Sequence, residues 1–203
     1  MFALVDKSDN SITKMLSGNK GITIGDNQYP RAIFTLWTEA ERNAINIYTV
    51  TIDESKRKDE QWYINTNITY AFDGTNATGS YGDATAKAHA DTTWTAQDET
   101  DGKGTEGEVA TRGLKYNLIQ TVKLQAEGEL NRTDWYITRK AEKNTAIPSA
   151  ITTHRDAVRS KQDSMCTAIT NASDTPALET LYTYTEQEDG SVTRPLGELP
   201  TLE

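Results

Sequence analysis

Hydrophobic spacing divides this chain into a front part with period two and a back part with period near four. Phe2–Val5 and Ser11–Leu16, separated by the polar run Asp6–Asn10, predict a first hairpin, with Gly21–Ile24 as a third short strand before the turn residues Gly25-Asp26-Asn27. Thr38-Glu39-Ala40-Glu41 has the spacing of a capping box and predicts a short helix over about Glu39–Ile45. Ile47–Ile52 reads as a strand that ends at the charged run Asp53–Glu60. The clearest alternation lies in Trp62–Phe72, where Trp62, Ile64, Ile68, Tyr70 and Phe72 occupy even positions and are expected to face a core. Asp73-Gly74 supplies a hairpin turn, with Thr78–Tyr81 returning. The following Ala84–Ala96 is ambiguous between strand and helix.

Glu99–Glu108 carries acids and three glycines and almost no apolar side chain, which predicts a linker. Beyond it Leu114, Leu118, Val122 and Ala126 repeat every four residues, with Ile119 widening the stripe. A second helix is expected to start at Pro148 and carry Ile151, Val158, Met165 and Ile169. Thr175 and Pro176 then predict a third, short helix bearing Leu178, Leu181 and Tyr182. The tail from Glu186, punctuated by Gly190, Pro195, Gly197 and Pro200, is expected to be extended. The predicted class is therefore α+β: a β-rich domain over 1–98, an acidic linker over 99–108, a helical hairpin with a short third helix over 109–185, and a tail over 186–203.

Charge changes the picture in one segment. Between Arg132 and Lys161 seven Lys/Arg face three acids, a local charge of +4 in a chain of net charge −9. That stretch also holds Trp135 and Tyr136, so Trp135, Tyr136, Arg139, Lys140, Arg155 and Arg159 are the candidate partner-binding residues. Arg155 and Arg159, four apart, are expected on one exposed helix face. The alternative is that Trp135 fills the hairpin core while the cations face water. The acidic pI, about 4.8, argues against general nucleic-acid binding, which requires a basic surface.

Other chemistry is sparse. The lone Cys166 can form no intramolecular disulfide and is expected to be a buried thiol. His89 and His154 are far apart, with His154 expected at the surface or an interface, and no GxSxG motif marks a nucleophile. Gln97, Glu99, Asp101, Gly102 and Glu108 fall at calcium-loop spacing, but Gln stands where the first Asp belongs and Gly104 where an apolar residue belongs. No catalytic residue, metal or cofactor is assigned. Trp62, Tyr63 and Tyr70 could stack on a sugar if exposed. MFALVDKSDN lacks the basic region and long apolar run of a signal peptide, no window has the length of a membrane span, and the Asn-x-Ser/Thr sites read as chance in an Asn/Thr-rich chain made in cytoplasm.

TDWYITRKAEKNTAIPSAITTHRDAVR, the following SKQDSMCTAITNAS and the ending RPLGELP resemble the C-terminal part of small virion proteins of tailed bacteriophages, linked with tails and tail fibres, especially in phages of marine bacteria. GITIGDNQYP and WYINTN are similar to the β-rich front of the same group. The resemblance covers most of the chain and implies a structural role in the tail or tail-fibre apparatus of the virion, with no catalytic residues. It implies other tail or tail-fibre proteins as partners, several copies or a homo-oligomer, and a host-surface glycan as a further candidate. The group grades into tail-fibre assembly chaperones, whose C-terminal halves carry similar W/Y and R-x-x-x-R patterns. A chaperone and a carbohydrate-binding receptor module are thus the alternative expectations.

Overall fold

The computed structural model describes residues 1–202, and it is α+β, with strands gathered in the N-terminal part and helices in the C-terminal part. The chain forms two compact units, Met1–Thr85 and Ala86–Glu203. The division therefore falls before the expected linker, and residues 99–108 belong inside the second unit.

In the first unit, β1 (Phe2–Asp6) and β2 (Ser11–Leu16) pair antiparallel around a polar turn in which Asn10 takes φ 59°. Asp6 accepts from the Ser8 amide at 2.8 Å and Asp9 from the Ser11 amide at 2.9 Å, which is why this polar pentapeptide turns. The expected third strand, β3 (Ile22–Ile24), does not join that sheet. It forms a separate hairpin with β4 (Asn27–Tyr29). A short helix absent from the sequence reading, α1 (Ile33–Leu36), precedes α2 (Glu39–Ala44). The capping box at α2 is present: the Glu41 amide donates to Thr38 Oγ1 at 3.3 Å, and the Thr38 amide to Glu41 Oε2 at 2.7 Å.

β5 (Ile47–Asp53) lies at the centre, between β1 and the hairpin of β7 (Thr69–Phe72) and β8 (Ala77–Ser80); β6 (Tyr63–Ile64) and β9 (Thr85–Ala86) stand outside it. The order is β2-β1-β5-β8-β7, with β5 and β8 parallel and every other neighbour antiparallel. The two faces follow from alternation. Ala3, Val5, Tyr48, Val50, Phe72 and Ala77 pack one core, while Leu16, Ile33, Phe34 and Ile47 pack the other.

The alternation expected from Trp62 to Phe72 is interrupted. Trp62 and Tyr63 are both buried, at 3% and 5% exposure, whereas Ile64 is exposed. Asn65 is the cause: its side chain accepts from the Lys58 amide at 2.9 Å and donates to the Lys58 carbonyl at 2.8 Å, which ends the strand and restarts it at Thr69. The Asp73-Gly74 turn forms as expected, with Gly74 at φ 97° and Asp73 Oδ1 accepting from the Asn76 amide at 2.7 Å.

In the second unit, β10 (Thr92–Thr93), α3 (Ala96–Thr100) and β11 (Val109–Thr111) enclose the stretch read as a linker. Thr95 and Asp98 make a capping box, and the Trp94 amide donates to the Glu108 carbonyl at 2.9 Å while the Gly107 amide donates to the Trp94 carbonyl at 3.0 Å. Local hydrogen bonds, with Gly104 seated against the Trp94 indole, thus close a lobe that hydrophobic patterning does not register.

Four helices follow: α4 (Leu114–Asn131), α5 (Asp134–Lys143), α6 (Ser149–Asn171) and α7 (Thr175–Tyr182). α4 and α6 run antiparallel. Lys115 at the start of α4 donates to the Thr170 carbonyl at 2.9 Å, and Arg155 near the start of α6 donates to the Leu130 carbonyl at 2.8 Å. Val122 and Ala126 pack with the predicted α6 stripe, Ile151, Val158, Met165 and Ile169, all buried. Each such large aliphatic side chain contributes about 1.5–3 kcal/mol by leaving water.

Two local expectations shift. Asp174, one residue earlier than expected, caps α7 by accepting from the Ala177 amide at 2.8 Å, and the buried Thr175 hydroxyl donates to the Lys87 carbonyl at 2.6 Å. The tail is also anchored. β12 (Thr185–Glu186) and β13 (Val192–Thr193) form a hairpin, after which Leu196, 2% exposed, donates its amide to the Leu181 carbonyl at 3.0 Å.

Candidate functional site: the exposed aromatic helix

The segment expected to be an elbow is itself a helix, α5, and none of its residues is buried. A ten-residue helix without a buried face needs to be held at its ends. At its start Arg155, 8% exposed, brings Nη1 within 2.8 Å of the Leu130 carbonyl, 2.7 Å of Thr133 Oγ1 and 2.7 Å of Asp134 Oδ1. Thr133, fully buried, donates its hydroxyl to the Leu130 carbonyl at 2.9 Å. One guanidinium therefore satisfies the end of α4 and fixes the first residue of α5. At the other end Lys140 and Lys143 lie in the last turn, where the helix dipole favours cations, and Asn144 closes the helix in the left-handed region at φ 52°.

Arg155 is consequently a structural residue, and its assignment as a partner-binding cation is corrected. Burial against the α4 terminus removes it from any docking face. Arg159, four residues on, stays exposed and pairs with Asp156 of its own helix at 3.3 Å. The two arginines do not share an exposed face. His154, expected at the surface or an interface, is also buried, and its Nε2 has no hydrogen-bond partner among the described residues.

The remaining candidates come together. Trp135 is 51% exposed, which removes the alternative that it fills the hairpin core. The Trp135 and Tyr136 ring centroids lie 3.7 Å apart at 31°, and the Arg139 guanidinium lies 4.7 Å from the first centroid and 5.3 Å from the second. Helical geometry explains this, since Arg139 is four residues beyond Trp135 and three beyond Tyr136. Lys140 is exposed one position further along. Ile137, 42% exposed, is a further uncovered apolar side chain of α5, turned away from Trp135 around the helix, and was missed by the sequence reading. Its signal was available: an isolated aliphatic in an otherwise polar and aromatic helix. The arrangement offers large, preorganised contact area with cations fixed beside it, the composition that dominates interface energetics.

The acidic residues of the second unit are engaged differently. Lys103 bridges Asp98 at 3.0 Å and Asp101 at 3.1 Å, and Gln97 donates to Asp101 at 2.8 Å, so the calcium-like spacing is occupied by internal contacts. Hydrogen bonds from the Thr95 hydroxyl and amide, with the Lys103 ammonium, hold the Asp98 carboxyl at about 2. Half-buried Cys166 has its thiol pushed up by desolvation, which disfavours the reactive thiolate. Among the described residues no group of three or more His, Cys, Asp or Glu could hold a metal ion, and no helix is long and apolar enough to cross a membrane. Comparison with protein-family models, curated proteins and solved structures found no match.

Proposed function

We propose that this chain is a non-enzymatic structural protein of a tailed-phage virion, part of the tail or tail-fibre apparatus, that docks to its neighbours through α5. The observation that supports this reading is the exposed Trp135–Tyr136 pair with Arg139 laid across it, on a helix whose ends are fastened and whose length is uncovered. The resemblance of the α5–α6 segment to small tail-linked virion proteins supplies the setting, with multiple copies or a homo-oligomer as the assembly. An acidic partner surface would complement Arg139, Lys140 and Lys143. Trp62 and Tyr63 are buried, so they do not supply the aromatic platform that a sugar-binding reading would require.

Mass spectrometry of purified particles tests the proposal. Stoichiometric presence in the virion supports a permanent component. Presence only in infected lysate would replace it with an assembly chaperone that leaves before the particle is complete.

A further inference from the structure

A cleft in the first unit carries a second, separate inference, independent of α5. Of the basic residues in Met1–Thr85, five are engaged by their own chain. Lys7 lies over Tyr48, Arg42 over Phe2 and Lys58 over Tyr63, while Lys56 pairs with Asp83 and Arg57 with Glu54 and Glu60. The other three, Lys14, Lys20 and Arg31, make no ion pair, side-chain hydrogen bond or ring contact among the described residues. Two of them come together: Lys14 and Lys20 line the same cleft, of about 490 Å³.

Among the described residues the cleft's lining contains no carboxylate, in a chain of net charge −9. The loop between β2 and β3 forms much of the wall, and among the described residues the backbone N–H groups of Gly18, Asn19 and Lys20 donate to no acceptor. Gly18 makes this course possible. It takes φ 73°, and a Cβ there would stand 3.0 Å from the Phe2 ring and 3.3 Å from Phe34 Cβ, so neither the conformation nor the space suits another residue. Ser17 and Thr23 add hydroxyls, and Ile22 and Phe34 supply an apolar floor continuous with the core beneath. Unpaired ammonium groups and unused amides around a concave, partly apolar surface are the elements of an anion site. The volume lies within the roughly 300–1,000 Å³ of small-ligand clefts.

We propose that this cleft binds a small anionic ligand of the sugar-phosphate or sugar-acid type. Lys14, Lys20 and the loop amides hold the anionic group, and Ser17, Thr23 and Ile22 contact the body of the ligand.

Titration of the isotopically labelled full chain with glucose 6-phosphate, glucuronate and uncharged glucose, followed by amide NMR, tests it. The charged sugars should give saturable shifts in Ser17–Thr23, weaken as ionic strength rises, and leave glucose without effect; the tighter of the two identifies the preferred anion. Lys14→Gln with Lys20→Gln should weaken binding at least tenfold while the rest of the spectrum is unchanged. Absent loop shifts, equal shifts with glucose, salt-independent binding, or undiminished binding by the folded double variant would each overturn the proposal. Inorganic phosphate binding as tightly as glucose 6-phosphate would overturn the sugar-sized ligand.

Discussion

Replacing Arg155 with alanine should loosen the whole helical unit, although a count of surface charges would rank it with Arg159. The substitution removes one guanidinium from the Leu130 carbonyl, the Thr133 hydroxyl and the Asp134 carboxylate at 2.7–2.8 Å. The ionic part is small, because the Asp134 side chain is 52% exposed and solvent screens it to about 1 kcal/mol or less. The buried polar groups matter more. A hydroxyl and a helix-terminal carbonyl deprived of their donor cost about 1–3 kcal/mol together, since Thr133 and Leu130 keep the bond between them, and the emptied space adds to this. The expected loss is about 3 kcal/mol, or roughly 10 °C in the thermal midpoint for a unit of this size. Arg159→Ala, which breaks only an exposed pair with Asp156, should stay within about 0.5 kcal/mol. Urea unfolding followed by helical circular dichroism reads both variants, because the long helices all lie in Ala86–Glu203. An Arg155→Ala midpoint indistinguishable from that of Arg159→Ala would refute the assignment of Arg155 to the fold.

Three further outcomes are expected. The Asp98 carboxyl should titrate at about 2 instead of 3.8 by carboxyl NMR; because folding lowers this value, its contribution is complete above the ordinary range and disappears as pH falls through about 2, and titration near 3.8 would contradict the capping geometry. Leu196→Ala should destabilise the second unit by about 2–4 kcal/mol in the same urea assay, whereas a loss below about 1 kcal/mol would mean that the tail is not anchored there. Gly104→Ala places a Cβ against the Trp94 indole, so the Gly107 amide, which donates to the Trp94 carbonyl, should exchange faster; an unchanged rate would restore residues 99–108 as a passive linker.

Much of the local structure was legible because it is written in short-range chemistry. Thr38 and Glu41 are three residues apart, Asp73-Gly74 are adjacent, and the α6 stripe repeats within one helix, so each pattern lies inside a window that the sequence displays. The interruption at Asn65 was hidden, because it depends on a bond to Lys58 seven residues away that competes with the strand. The lobe over 99–108 was hidden for a different reason: hydrogen bonds and turns close it, and apolar spacing carries no signal from them. At the candidate site the sequence identified the aromatic and cationic residues of α5 but misplaced Arg155. An arginine's partners 21 to 25 residues away cannot be read from its i,i+4 spacing, and those partners decide whether it is a docking cation or a buried clamp.

Incorporation of a Trp135→Ser, Lys140→Ala double variant into particles tests the docking role of α5 most directly, because both side chains are exposed, neither takes part in the Arg155 network, Lys143 keeps a cation in the last turn and alanine favours the helix. The variant should keep the helical circular dichroism and urea midpoint of the parent chain, and its abundance in purified particles should fall at least tenfold. A well-folded variant incorporated at the parental level would contradict the account.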